Sequence, residues 1–147
     1  MFKHIMIPVD GSELADKAVG EGLKLAKAFG AKVTALIAEH EYEVPTYTQI
    51  TSHSAVSVPE HERRIKEHAA KILEAVSARA KELGVRFEGR LMEDDEPYAA
   101  IVKAATEGGV DLIVMASHGR HGLGALFFGS QTQEVMSHSK IPVLVYR

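Results

Sequence analysis

The sequence predicts an α/β protein built on a parallel sheet, and three observations lead there. Five short apolar runs follow one another along the chain, and stretches with helical period separate them. No two-residue hairpin signal joins one run directly to the next. The length of 147 residues suits one domain of ordinary size, so we expect a single doubly wound domain over 1–147. The predicted strands cover residues 5–9, 33–38, 85–91, 111–115 and 141–146.

The first helix is predicted from its cap and its period. Ser12 follows the turn signal Asp10-Gly11 and stands where an N-cap residue is expected. Apolar residues then recur at spacings of three or four as far as Phe29. Gly30 follows in the position of a C-terminal cap glycine. Strand, turn and helix therefore succeed one another at the start of the chain.

The middle of the chain predicts a long loop and a long helix. No period survives from residue 40 to residue 59, which is typical of a lid or a disordered segment. Apolar residues then share one helix face from Ile65 to Leu83, and Gly84 closes the helix. The third strand follows, with Val85, Phe87 and Leu91 on one side and charged residues between them. Because such alternation leaves one face wet, we expect this strand at a sheet edge.

An acidic run at residues 93–96 precedes Pro97 and is interpreted as the start of the third helix. Carboxylates at a helix N-terminus complement the helix dipole, and proline is tolerated in the first turn. A metal site is the alternative interpretation of the run, but the helix start accounts for it completely. A fourth helix is predicted to begin near Ser130.

Composition excludes several classes of function. A formal charge of −3 argues against binding to a nucleic-acid backbone, and the absence of cysteine removes disulfides and thiolate metal sites. No apolar run is long enough to cross a membrane, and the apolar run at the N-terminus is too short for a signal peptide. We therefore expect a cytoplasmic protein.

Two predicted strand ends carry residues suited to a ligand. In doubly wound sheets, ligands bind at the carboxyl ends of strands where the strand order reverses. The first strand ends in Asp10, whose carboxylate could accept hydrogen bonds from a ribose diol. The fourth is followed by glycines at 119, 122, 124 and 129 and by the hydroxyls of Ser130 and Thr132, a reasonable cradle for phosphate.

Structural explanations of the same residues stay open. The segment at residues 10–12 could be only a tight turn with an N-cap, and the glycines could serve only a loop. Two standard nucleotide motifs are missing from the sequence, the P-loop and the dinucleotide fingerprint G-x-G-x-x-G after the first strand.

The chain resembles the universal stress proteins of the UspA type over essentially its whole length. The resemblance is carried by residues 7–12, 111–115 and 141–145 and by the spacing of Gly119 and Gly129-Ser130. ATP-binding members show G-x2-G-x9-G-[ST], and here Ala116 stands in place of the first glycine. The substitution adds only a methyl group.

The resemblance implies a fold, a ligand and a partner. The fold is a three-layer sheet of strand order 3-2-1-4-5, like that of the adenine nucleotide alpha hydrolases. The ligand is ATP or AMP, with Mg²⁺ possible beside ATP, and the partner is a second copy paired through the last strand, which begins at Ile141 and ends at Tyr146. The implied nucleotide-binding residues are Pro8, Val9, Asp10, Ala38, Met115, Ala116, Gly119, Arg120, Gly129, Ser130, Gln131 and Thr132.

Catalysis and metal binding are less favoured. His61 and His68 could share a helix face, but no third metal ligand is placed by spacing. His118 and His121 border the predicted phosphate loop, either as phosphate contacts or as ordinary loop residues. No pair of nucleophile and base is visible, which favours a regulatory nucleotide-binding dimer. The alternatives are an interaction dimer with an empty pocket, which Ala116 favours slightly, and a slow ATPase.

Overall fold

The computed structural model describes residues 1–39, 58–118 and 128–147. Within these ranges, strands and helices alternate along the chain. The elements are β1 (His4–Pro8), α1 (Glu13–Phe29), β2 (Lys32–Glu39), α2 (Val58–Leu83), β3 (Phe87–Glu93), α3 (Pro97–Glu107), β4 (Leu112–Ala116), α4 (Ser130–His138) and β5 (Val143–Tyr146). Of the predicted loop at 40–59, residues 40–57 lie outside the described ranges, and α2 already begins at Val58.

The strands form one sheet of order β3-β2-β1-β4-β5, and each neighbouring pair is parallel. Ile5 of β1 lies opposite Val33 of β2 and Leu112 of β4. Ile113 of β4 lies opposite Val143 of β5. The predicted α/β class, the strand order and the edge position of the third strand are therefore confirmed.

Helices cover both faces of the sheet, which gives three layers. Ile5 and Ile7 of β1 pack in a core with α1 and α2, whereas Met6 between them packs in a second core with α3 and α4. This alternation follows from the two-residue period of a strand. In the described ranges, no helix combines the length and the apolar character needed to cross a bilayer.

The caps of α1 are those predicted. The Ser12 hydroxyl accepts the Ala15 N–H at 3.2 Å, and Gly30 ends the helix with a φ of 63°. A positive φ costs glycine little because it has no Cβ.

The third strand begins and ends two residues later than predicted. Gly84 ends α2 with a φ of 71°, and the N–H of Val85 still bonds to the Ala80 carbonyl at 2.9 Å. Val85 therefore belongs to the closing turn of the helix. Pairing with β2 begins at Phe87 and continues to Glu93.

The acidic run does not cap α3 in the predicted way. Glu93 is the last residue of β3, and Glu96 is the N-cap residue but makes no side-chain cap bond. Pro97 opens the helix as predicted, but the first turn contains no acidic residue. The prediction that carboxylates cap α3 was wrong in this respect, because strand pairing takes up the start of the run.

Candidate functional site

The carboxyl ends of β1 and β4 meet at the centre of the sheet. From β1 the chain turns into α1 on one face, and α4, which follows β4 in the chain, packs on the other face. Strand order reverses between these two neighbours, so a crevice forms where the two connections part. The first predicted cluster, residues 8–12, lies here together with residues 115–118 and 129–132 of the second, which was predicted over 115–132 and of which 119–127 lie outside the described residues.

The turn after β1 is tightly organised. Asp10 is half-buried, and its Oδ1 accepts the Ser12 N–H at 3.0 Å. Gly11 has a φ of 76°, a conformation that L side chains rarely adopt. Val9 is buried in the core with α1 and α2, so its backbone, rather than its side chain, borders the crevice. Asp10 is thereby held at the strand end where the sequence placed it.

The α2 helix lies against this turn, which the sequence did not predict. A Cβ built on Gly11 would lie 3.0 Å from Ile72 Cδ1 and 3.8 Å from His68 Nε2. His68 is exposed, and it therefore stands beside the mouth of the crevice. Spacing alone could suggest only a shared helix face with His61, since the packing of α2 on the turn is a long-range contact.

Pro8 and Ala38 border the crevice from neighbouring strands. Pro8 ends β1 opposite Leu36, and β2 continues beyond it to Ala38 and Glu39. Both Pro8 and Ala38 are half-buried. They form a small apolar shelf at the carboxyl edge of the sheet.

At the end of β4, side chains point into the protein. Met115 is buried in the core with α3 and α4. Ala116 is buried and packs with Ala15 and Ala18 of α1. The methyl group that replaces the first motif glycine is therefore accommodated against α1. Only the backbone of these two residues can approach a ligand.

The junction between β4 and α4 is closed by short hydrogen bonds. The Ser117 N–H donates to the Tyr146 carbonyl and the Gly129 N–H to the Ser117 carbonyl, each at 2.7 Å. Ser117 Oγ and His118 Nδ1 are 3.1 Å apart. Residues 118 and 129 are thus adjacent, and the predicted ligand residues Gly119 and Arg120 lie outside the described residues, as does His121.

Gly129 permits a close approach at this junction. A Cβ at this position would lie 3.1 Å from His118 Cα and 3.3 Å from His118 Cβ. Its φ of −61° is ordinary, so space rather than backbone conformation requires a small residue here. Gly129 therefore packs β4 and α4 together, and its own N–H is used for that purpose.

The first turn of α4 presents donors to the crevice. Gly129 is its N-cap residue and has no side chain to cap it. Within the described ranges, no acceptor takes the N–H groups of Ser130, Gln131 and Thr132. Open N–H groups and the positive end of the helix dipole make such a turn attractive to an anion.

The three side chains of this turn have different surroundings. Ser130 is exposed. Thr132 is buried, and its hydroxyl donates to the Ala116 carbonyl at 2.9 Å. Gln131 is half-buried, and its Oε1 accepts the Tyr98 N–H at 2.8 Å. Of the three predicted phosphate-contacting residues, only Ser130 has a side chain without a partner in the described part of the chain.

A cation also lies at this edge of the sheet. The Arg147 guanidinium carbon is 5.1 Å from the centre of the Phe128 ring, next to Gly129. The sequence had named Arg120 for this part of the site and did not single out Arg147. In the described ranges, no cluster of three or more histidines and acidic residues could hold a metal ion.

The sequence matches a known protein family and is similar to individual members of it. The profile of the Universal stress protein family matches residues 1–147. The universal stress protein YxiE of Bacillus subtilis is 35% identical over 152 residues, which cover 100% of both chains.

Solved structures show the same architecture. The structure of MJ0577 from Methanocaldococcus jannaschii is 31% identical, with a TM-score of 0.78 over 99% of this chain and 95% of that one. A universal stress protein crystallised with cAMP is 24% identical, with a TM-score of 0.73 over 99% of this chain and 97% of that one. The latter likeness is evidence of a common fold.

Proposed function

The chain belongs to the universal stress protein family, and from that premise we propose that it is a stress-response regulator that binds ATP or AMP at the carboxyl ends of β1 and β4. The observation that carries the proposal is the first turn of α4, whose three N–H groups have no acceptor in the described ranges and follow Gly129, which bonds to Ser117 at the end of β4. A phosphate bound there would meet aligned donors, the helix dipole and the exposed Ser130 hydroxyl. The similar fold crystallised with cAMP supports an adenine nucleotide as the ligand class.

The nucleoside half of the ligand is assigned to the β1 side. Asp10 would accept a ribose hydroxyl, because its carboxylate is held at the strand end by the Ser12 N–H. Pro8 and Ala38 supply the apolar shelf on which a base could rest. Gly119 and Arg120 remain predicted contacts of the phosphates, and Mg²⁺ remains a predicted companion of ATP.

Ser130→Asp tests the site with little risk to the fold. An aspartate in the first turn of α4 suits the helix dipole but repels phosphate. We expect the unmodified protein to release ATP or AMP on denaturation and to bind ATP in a calorimetric titration. Ser130→Asp should lose about 100-fold in ATP affinity, since a hydrogen bond to a charged group is worth about 1.5–3 kcal/mol and the carboxylate also repels the phosphate.

Ser77→Asp provides the matched control, because Ser77 is an exposed serine of α2. It introduces the same charge and should leave ATP affinity unchanged. If the protein releases no nucleotide and does not bind ATP at millimolar concentration, the proposal is refuted, and the interaction dimer with an empty pocket is favoured. Sustained phosphate release that Ser130→Asp abolishes would favour the slow ATPase.

The proposed assembly is a homodimer through β5. This strand is an edge of the sheet, and Leu144 on it is 41% exposed. The other edge, β3, carries the ion pair between Arg90 and Glu88, which discourages pairing. A second copy related by a two-fold axis would pair β5 with itself and cover its apolar side chains.

Light scattering of Leu144→Lys tests the dimer. We expect the unmodified protein to be a dimer, Leu144→Lys a monomer, and Glu88→Lys at the opposite edge still a dimer. A monomeric unmodified protein would exclude the assembly. The cytoplasmic location and the single domain over 1–147 remain predictions from the sequence.

A further inference from the structure

Gln131 lies in the turn that faces the crevice, yet its side chain is engaged with α3. The Tyr98 N–H donates to Gln131 Oε1 at 2.8 Å. Because a backbone N–H can only donate, the atom that faces it must be the amide oxygen. The side-chain acceptor of Gln131 therefore binds the protein.

The α3 helix lacks a cap of its own, which explains the contact. Glu96 at its N-cap makes no side-chain bond to the N–H groups of the helix, and Pro97 has no N–H. The N–H groups of Ala99 and Ala100 both bond to the Glu96 carbonyl. Tyr98 thus carries the remaining N–H of this turn, and Gln131 satisfies it across the interface between α3 and α4.

Thr132 supplies a second anchor for the same turn. Its hydroxyl donates to the Ala116 carbonyl at the end of β4, and the side chain is 3% exposed. Successive residues of an α-helix point about 100° apart, so Ser130, Gln131 and Thr132 face three directions. These are solvent, α3 and β4. The side chains of Gln131 and Thr132 fix the turn, while its N–H groups have no acceptor among the described residues.

We propose, on the premise of the proposed nucleotide site, that Gln131 and Thr132 are positioning residues for the phosphates and act through the bonds that their side chains make to α3 and β4. They hold the first turn of α4 to α3 and to β4, so that three N–H groups converge on one place. Donors that are fixed in advance bind an anion without the cost of ordering them. The site thereby depends on Tyr98, whose N–H supports the α4 turn from α3 and does not contact the ligand.

Two substitutions of Gln131 separate positioning from contact. Gln131→Met has a similar length but no acceptor, whereas Gln131→Glu keeps an acceptor for the Tyr98 N–H. We expect Gln131→Met to lose about tenfold in ATP affinity, because the α4 turn shifts and its N–H groups are no longer aligned with the phosphates. Adenosine has no phosphate and should lose less than twofold in affinity. Gln131→Glu should bind ATP more tightly than Gln131→Met when salt screens the added charge.

The opposite order overturns the proposal. If the Gln131 amide contacted phosphate, a carboxylate there would repel it, and Gln131→Glu would be the weaker binder. Thr132→Ser and Thr132→Val form a parallel pair. The serine should retain ATP affinity because it keeps the hydroxyl, and the valine should lose it. Equal affinity for the pair contradicts the role of Thr132.

Hydrogen exchange of the Tyr98 amide provides a readout that does not depend on any variant folding. In the unmodified protein, ATP should slow exchange at Tyr98 more than adenosine does, since only the phosphates of ATP bind the α4 turn and so stabilise its bond to the Tyr98 N–H. Exchange that is indifferent to ATP would overturn the role of Gln131 while leaving the nucleotide site intact. Failure of the unmodified protein to bind ATP would overturn the nucleotide site itself.

Discussion

The two ends of the sheet differ in whether their backbone N–H groups have acceptors within the described part of the protein. At the amino end, the N–H groups of Lys3 and His4 both donate to the Asp111 carboxylate, at 2.8 and 3.1 Å. At the carboxyl end, the N–H groups of the α4 turn have no acceptor in the described ranges. The contrast separates an end whose donors are satisfied within the protein from one where a helix N-terminus keeps donors for a ligand.

His4 is the centre of the amino end. Its side chain is 5% exposed, and the Thr34 hydroxyl donates to its Nε2 at 2.8 Å. Its Nδ1–H donates to the Gly108 carbonyl at 3.1 Å. The carbonyl can only accept, so Nδ1 carries a proton. Burial favours the neutral ring, which leaves Nε2 to accept from the Thr34 hydroxyl. His4 thereby ties β1 to β2 and to the turn before β4.

The largest expected effect is the loss of this tie. His4→Phe leaves the Thr34 hydroxyl and the Gly108 carbonyl without their partner, and each buried orphan costs about 1–3 kcal/mol. We expect about 3 kcal/mol less stability in urea unfolding, with ATP affinity unchanged. Adding Thr34→Val should recover part of the loss, because removing both partners costs less than removing one. A drop in ATP affinity would show that the two ends are coupled after all.

A change at the carboxyl end should lower ATP affinity more than stability, the opposite of what is expected for His4→Phe. Gly129→Ala places a Cβ 3.1 Å from His118 Cα, so β4 and α4 must move apart by a few tenths of an ångström. We expect about a tenfold loss of ATP affinity, or about 1.4 kcal/mol, and less than about 1 kcal/mol of stability. Calorimetry and urea unfolding of the same sample measure both. A large loss of stability with normal affinity would show that Gly129 serves packing alone.

Asp111→Asn is a milder test of the amino end. The amide oxygen of asparagine can still accept one of the two N–H groups. Its NH₂ then faces the second N–H and cannot accept from it. We expect about 1 kcal/mol less stability, because one of the two bonds is lost and neither is fully buried, so that its net worth is about 0.5–1.5 kcal/mol. Glu74→Gln, at an exposed acid of α2, is the control for charge. Equal losses for the two variants would contradict the special place of Asp111.

Local patterns predicted the fold well, and long-range contacts explain what they missed. The Ser12 cap and the Gly30 terminus depend on neighbours in the sequence, and both were predicted correctly. The side-chain acceptor at the start of α3 is Gln131, which is 33 residues from Tyr98. The adjacent acidic run therefore predicted the wrong capping residue. No local pattern reports such a partner.

The candidate site shows the same division. Asp10 and the α4 turn were predicted because a strand end and a helix start can be recognised locally. That Thr132 is buried on Ala116, and that Ala116 packs on α1, depend on how layers stack. The same is true of His4, whose side-chain partners are 30 and 104 residues away. The sequence indicates where polar residues are, but the packing decides which of them remain open.

The smallest expected effect is a pH dependence that belongs to the amino end. Burial, with a smaller contribution from Lys32, lowers the pKa of His4 below its ordinary value of 6.5. The hydrogen bond to the Gly108 carbonyl and, after it, the charges of Asp111 and Glu88 raise the pKa but do not outweigh these causes. Between the two pKa values the unfolded chain binds more protons than the folded one, so stability falls as pH decreases below about 6.5. The contribution of His4 to this loss is at most about 0.8 kcal/mol at pH 6. His4→Phe should lack this component in urea unfolding across the same range. If the unmodified protein and His4→Phe lose stability equally between pH 8 and pH 6, the neutral, buried role of His4 is wrong.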